Sequence, residues 1–234
     1  MSIEGQRVVI IGGSSGIGLG VALHARAAGA HVTIGGRTVE RLQAASRALG
    51  EVDVVTVDIG DQASVEAVFA PIDHVDHVVI CAGTVGPSPV LGSNIEALRA
   101  VVEQRLWGAV YTVRAAAPKM QGGSITFTSG GVAARPRVGA AITTAALGAV
   151  EALTLALALE LAPTRVNCVT PGLVATPLHG SGPAAEARLA ERARTLPAGR
   201  VGTPDDLALV YLMLMNNPYL TGEVIHIDGG GRYI

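Results

Sequence analysis

The chain of 234 residues carries a formal net charge of -2, is 49% hydrophobic and only 3% aromatic. That is enough apolar material for a full core, and no Pro/Ser-rich linker or charge block divides it, so one domain over residues 1–234 is expected. The scattered charge leaves no basic face and the few aromatics no stacking platform, which excludes nucleic acid as a partner.

The N-terminal MSIEGQ lacks the charged and apolar regions of a signal peptide. The two cysteines, Cys81 and Cys168, each sit in an apolar, strand-like run and not in a ligand or disulfide spacing. Both features point to the cytoplasm. The most apolar stretch, residues 145–162, is interrupted by Glu151 and Glu160, which a bilayer centre would penalise. It is expected as a helix buried all round, in the core or at a subunit interface, with no membrane partner.

In chain order, the β-branched run of residues 8–11 passes directly into glycines and two serines before an apolar helical segment begins. Gly12, Gly16 and Gly18 stand as GxxxGxG, a spacing that lets the backbone turn sharply and the helix pack against the strand. The free N–H groups of that helix's first turn would point at an anion, a pyrophosphate above all, although glycines also serve strand-to-helix turns for purely steric reasons. A helix over 19–29, a strand over 31–34, a helix over 39–49 that Thr38 can cap, a strand over 52–57, a helix over 63–69 and a strand over 75–81 follow. The second half repeats the plan with a helix over 95–120, a strand over 124–128, a helix over 144–161, and strands over 165–169 and 224–227. Apolar strands alternating with helices imply an α/β fold, a doubly wound parallel sheet with helices on both faces, whose ligands sit at the carboxyl ends of the strands.

The order of motifs resembles the short-chain dehydrogenase/reductase family over nearly the whole chain. The matching segments are IGGSSGIG, VDIGD, CAG, GGSITFTSG, RVNCVTPGLVATP, GRVGTPDDLA and YLTGEVIHIDGG. The resemblance implies a seven-stranded Rossmann sheet, a nicotinamide cofactor, a small-molecule substrate, and homodimers or homotetramers built on the helices 95–120 and 144–161. It places Ser14, Ser15, Ile17 and Gly18 along the phosphates with Gly12 and Gly16. Asp58 and Ile59 fall at the adenine, Cys81, Ala82 and Gly83 at the ribose side, and Pro171, Gly172, Leu173, Val174 and Thr176 along the nicotinamide. At the end of the second strand, where NAD-dependent members commonly carry an acid, Arg37 stands instead. A guanidinium suits a 2′-phosphate through charge-assisted bonding, so NADP(H) is the expected cofactor, against a reading of Arg37 as a solvated helix-start arginine.

Alignment on GAVEAL puts Thr143 where the family's catalytic tyrosine belongs and Leu147 where its lysine belongs. A threonine hydroxyl is a far weaker acid than a phenol, and leucine cannot hold a ribose or lower a neighbour's pKa. Lys119 is the only lysine in the chain, so no realignment restores the pair. The family's serine falls at Gly130, with Ser129 one residue earlier, and the asparagine that usually interrupts its long helix falls at Arg105, in QRLWG. Ile11, Ile80 and Cys81 replace polar family residues on adjacent strand ends, a joint loss that leaves no partner unsatisfied and reads as a re-packed core.

Hydride transfer is the cofactor's chemistry, and the protein deals with the charge that develops. Reducing a ketone leaves an alkoxide that needs a proton; reducing an iminium leaves a neutral amine that needs none. The expected activity is therefore NADP(H)-dependent reduction of an imine, an iminium or a conjugated carbonyl. Carbonyl reduction stays open, with Arg105 and Ser129 on the oxyanion and water or His179 as donor; Thr143 completes the catalytic candidates. Each has a structural alternative: a salt bridge for Arg105, a backbone-satisfying hydroxyl for Ser129, a solvent histidine for His179. A non-catalytic NADP(H)-binding sensor, or a scaffold without cofactor, is the rival from another class. Asp73, His74, Asp76 and His77 are grouped like metal ligands, but they precede a strand at the sheet end away from the cofactor, and no metal is expected. The charged run 186–200 is expected as one or two amphipathic helices of a substrate lid spanning about 177–203, its arginines a solvated face.

Overall fold

The structure, a computed structural model, describes residues 2–83 and 86–234. Its centre is a seven-stranded parallel sheet in the order β3-β2-β1-β4-β5-β6-β7. The strands are β1 (Arg7–Ile11), β2 (His31–Gly36), β3 (Asp53–Thr56), β4 (His77–Ile80), β5 (Ser124–Thr128), β6 (Arg165–Pro171) and β7 (Val224–Ile227). β-Branched runs such as Val8 to Ile11 and Val78 to Ile80 are buried on both faces, the requirement of central parallel strands. The strand order reverses between β1 and β4, and the crevice that opens there at the carboxyl ends is where a ligand fits.

Helices cover both faces. On one side α1 (Gly16–Ala27), α2 (Val39–Ala48) and α9 (Pro204–Asn216) enclose a core that includes Val21, Leu42, Leu207, Tyr211 and Leu214. On the other, α3 (Gln62–Phe69), α5 (Gly108–Ala116) and α7 (Ala141–Glu160) enclose Phe69, Val113, Phe127, Val150 and Leu157. Each such fully buried side chain contributes about 1.5–3 kcal/mol of transfer free energy. α9 begins at a capping box, in which Thr203 and Asp206 satisfy each other's backbone N–H groups. α3 is capped by Asp61, whose carboxylate accepts from the Ser64 N–H.

The helix expected over 95–120 is interrupted. α4 (Ile95–Val102) passes through a π-helical turn, Glu103–Trp107, into α5, and a 3₁₀ turn, Ala117–Lys119, ends the run. Thr38 occupies the N-cap position of α2, but its side chain makes no capping bond. β6 runs two residues further than the sequence suggests, to Pro171. Within one chain α7 is buried on one face: Thr143, Ala146, Leu147, Val150, Thr154, Leu157 and Ala158 face inward, while Leu155 and Leu159 are exposed. It is also the one helix among the described residues long and apolar enough to cross a membrane. Between β6 and α9 lie a 3₁₀ turn, Pro177–His179, and a single helix, α8 (Pro183–Ala193), in the segment expected as a lid. The short α6 (Gly131–Ala134) follows β5.

Candidate active site

One continuous cleft of about 1260 Å³ runs along the carboxyl ends of β1 to β6. At its centre the loop after β1 is shaped by glycine. Gly12 has a φ of +92°, and a Cβ there would lie 2.6 Å from the Ala82 nitrogen; a Cβ on Gly18 would lie 2.2 Å from the Gly12 carbonyl oxygen. These contacts press the start of α1 against β1 and β4. Ser15, the N-cap of α1, makes no side-chain capping bond, and Gly16, Ile17 and Gly18 line the cleft with Ser14 and Ser15. The first-turn N–H groups of α1 thus stand beside an open, glycine-floored cradle, which fits a diphosphate.

At the end of β2, Gly36, Arg37, Thr38 and Arg41 line the cleft, and no carboxylate is among them. A Cβ on Gly36 would lie 3.2 Å from Ser14 Oγ, so the phosphate loop and the β2 end adjoin. Arg41, one helical turn beyond Arg37, is a second cationic group that the sequence reading missed; its signal is the i, i+4 spacing of the two arginines. Asp58, whose carboxylate accepts from the Gly60 N–H at 3.0 Å, and buried Ile59 form the next wall. Cys81, Ala82, Gly83, Pro171, Gly172, Leu173, Val174 and Thr176 also line the cleft, so every residue expected to touch a dinucleotide reaches it.

The reaction end is built on β5, α7 and the π turn. Ser129 is buried, and its hydroxyl donates to Glu151 Oε1 at 2.7 Å; the Thr170 hydroxyl donates to the same oxygen at 2.8 Å. One carboxylate on α7 therefore takes up the only proton that Ser129 can donate, and leaves the Ser129 lone pairs as its free hydrogen-bonding capacity. Glu151 was legible in the sequence only as a charge in an apolar helix. Leu147, one turn before it on α7, lines the cleft beside Ser129 and Gly130.

Arg105 sits in the π turn, buried, with Nη2 donating to the Gly83 carbonyl at 2.8 Å. Gly83 has a φ of +129°, and a Cβ there would meet the guanidinium at 2.7 Å, so the glycine admits the arginine. Burial pulls the Arg105 guanidinium down to about 10, which leaves it cationic at neutral pH. Thr143 stands outside the cleft lining. It is buried, and its Oγ1 is 2.8 Å from Ser88 Oγ, which also accepts from the Thr143 N–H at 3.0 Å; the threonine pins the segment around Ser88 to α7. His179, on the 3₁₀ turn, lines the cleft; burial and then the charges of Arg137 and Arg188 lower its pKa, which keeps the ring neutral near pH 7.

Ile11 and Ile80 are register neighbours on β1 and β4, and both are buried. Cys81 keeps polar contacts: Thr128 Oγ1 lies 2.6 Å from the buried Tyr211 hydroxyl and donates to Cys81 Sγ at 3.4 Å. At the opposite end of the sheet His74 Nε2 lies 2.9 Å from Asp76 Oδ1, and His77 is buried between Ser124 Oγ at 2.8 Å and Gln6 Oε1 at 2.7 Å. His77 therefore has both ring nitrogens engaged by protein groups.

A protein-family model described as enoyl-(acyl carrier protein) reductase matches residues 11–231. The short-chain dehydrogenase/reductase ATR9 of Stachybotrys chlorohalonatus is 34% identical over 249 residues, with 98% of this chain and 98% of that protein covered. The NADP-dependent (R)-specific alcohol dehydrogenase of Lentilactobacillus kefiri is 31% identical over 250 residues, with 97% of each covered. A solved small-chain dehydrogenase in complex with NADPH superposes with a TM-score of 0.84 at 31% identity, over 99% of this chain and 100% of that one. On a fold, a glycine-floored cleft and relatives that agree along nearly the full length, the chain belongs to the short-chain dehydrogenase/reductase family.

Proposed function

We propose that the protein is an NADP(H)-dependent reductase of a small organic molecule whose acceptor group needs no proton at the instant of hydride transfer: an imine, an iminium or a conjugated carbonyl. The observation that carries this reading is the make-up of the cleft wall. No tyrosine and no lysine lines it among the described residues, the Ser129 proton is committed to Glu151, and His179 is neutral near pH 7. A simple ketone finds no poised acid there.

The cradle fits the dinucleotide, and a bound nicotinamide supplies the hydride. The α1 N-terminus with Ser14 and Ser15 binds the diphosphate, and Arg37 and Arg41 bind the 2′-phosphate at a strand end that offers no acid for two free ribose hydroxyls. Pro171 to Val174 and Thr176 orient the reactive ring, and Leu147 keeps the floor beside Ser129 apolar. Ser129, its hydrogen on Glu151, accepts a hydrogen bond from an iminium N–H and orients it. For a conjugated carbonyl, the buried charge of Arg105 lowers the energy of the delocalised product anion. The exposed apolar Leu155 and Leu159 on α7, with Trp107 on the π turn, are the surface through which the chain pairs as a homodimer or homotetramer.

The test is NADPH oxidation with the purified protein and a panel of cyclic imines, enones and ketones. Turnover of an imine or enone, with simple ketones inert, is the expected result. Ketone turnover that disappears in Thr143→Ala contradicts the reading, and a protein that binds NADPH but reduces none of the panel supports the sensor alternative instead.

A further inference from the structure

We infer that the substrate end of the cleft is an anion-binding wall formed by Arg135, Arg137, Arg188 and Arg192, and that the substrate carries a carboxylate or a phosphate group. The inference rests on the reductase reading, because it places the anion on the molecule that meets the nicotinamide. All four arginines line the same cleft, two from the segment after α6 and two from α8, which brings together positions some fifty residues apart in the chain. Their charges meet there: Arg137 and Arg188 both act on His179, and Arg188 Nη2 donates to the His179 carbonyl at 3.1 Å.

Among the described residues no ion pair engages the group. Among the described residues none of the four has a carboxylate within 4.0 Å, and their bonded hydrogens go only to carbonyls, Arg135 to Gly231 and Arg188 to His179. The side-chain carboxylates of the lining are Asp58, at the far end beyond β3, and Asp228. Asp228 already accepts from the Gly230 and Arg232 N–H groups and faces the Arg232 guanidinium at 4.0 Å. On α8, Glu191 pairs outward with Arg194, and neither Glu186 nor Glu191 lines the cleft. Like charges held together in a concave, partly apolar wall raise a positive potential there, which concentrates and orients an anion. Planar guanidinium forks match carboxylate and phosphate oxygens in particular. An iminium acceptor that also bears a carboxylate is neutral overall, so Ser129 with Glu151 and the arginine wall act on opposite ends of one molecule.

The test is a calorimetric titration of the NADPH-saturated protein with benzoate, phenyl phosphate and benzamide, the last a neutral analogue of the first. At least one anion is expected to bind about tenfold or more tightly than benzamide, with the preference falling as salt rises. The tighter of the two anions identifies the group. Arg137→Gln/Arg192→Gln, both surface positions, is expected to lose the preference and keep the wild-type NADPH affinity. Equal binding of all three probes, no binding of either anion, or a preference that survives the double substitution overturns the inference. A double variant that loses NADPH affinity also overturns it, by assigning the arginines to the cofactor. If the wild type fails to bind NADPH, the reductase reading falls instead, and the same titration without nucleotide still tests the wall.

Discussion

Acidification from about pH 7.5 to about pH 5 is expected to remove about 2 kcal/mol of folding stability through one imidazole, His77. Its ring is buried at the amino end of β4, and burial, then the charge of Arg165, lower its pKa from 6.5 to about 4, with Asp76 opposing. The geometry agrees with a neutral ring, Nε2–H donating to Gln6 Oε1 and Nδ1 accepting from the Ser124 hydroxyl. Between the two pKa values the unfolded chain holds the proton and the folded chain does not, so stability rises with pH across that window and is lost as pH falls from about 6.5 towards 4. A shift of this size corresponds to about 3 kcal/mol when fully expressed, of which about 2 kcal/mol is reached by about pH 5. Urea unfolding of the wild type and of His77→Phe over this range is the assay. The variant is less stable at neutral pH, because Ser124 and Gln6 lose their partner, but its stability falls less steeply with acid. Equal slopes for the two proteins, or an imidazole of His77 that titrates above about pH 6 in the native state, refute the reasoning.

Gly18→Ala is expected to abolish NADPH binding and destabilise the fold, since the new Cβ would lie 2.2 Å from a backbone oxygen that cannot swing away; a titration and a melting curve read both effects. Glu151→Leu leaves the Ser129 and Thr170 hydroxyls without their shared acceptor and should cost about 2–4 kcal/mol in urea unfolding, whereas Glu151→Gln, which keeps an acceptor oxygen, should cost much less. Thr143→Val removes one buried hydroxyl contact with Ser88 and should cost about 1 kcal/mol while NADPH affinity holds. A loss of NADPH affinity in that variant would instead assign Thr143 to the cofactor site.

The strands of the sheet were legible because strands buried on both faces carry unbroken β-branched runs, as Val8 to Ile11 and Val78 to Ile80 do. The phosphate loop was legible because close backbone approach demands glycine at Gly12 and Gly18. The break in the helix around Arg105 was legible only through the family resemblance, which puts the helix-interrupting position there; the apolar pattern itself does not mark the π turn. Thr38 shows the limit of capping rules: the residue type and position fit, but the hydroxyl is not used. The Ser129–Glu151 bond joins residues 22 apart, and the proposed arginine wall joins the segment after α6 to α8 across the cleft, so only the fold could reveal them. The arginines of α8, expected as a solvated face, are indeed exposed, but Arg188 and Arg192 also line the cleft.

The most direct test of the account is a fluorescence titration of the wild type and of Arg37→Asp with NADPH and, separately, with NADH. Charge-assisted bonds to the 2′-phosphate are worth roughly 1.5–3 kcal/mol, so the substitution should weaken NADPH binding on the order of 10- to 100-fold and leave NADH binding nearly unchanged. Equal losses for the two nucleotides, or a wild type that prefers NADH, would contradict the assignment of the β2 end to the phosphate, and a wild type that binds neither would contradict the reductase reading itself.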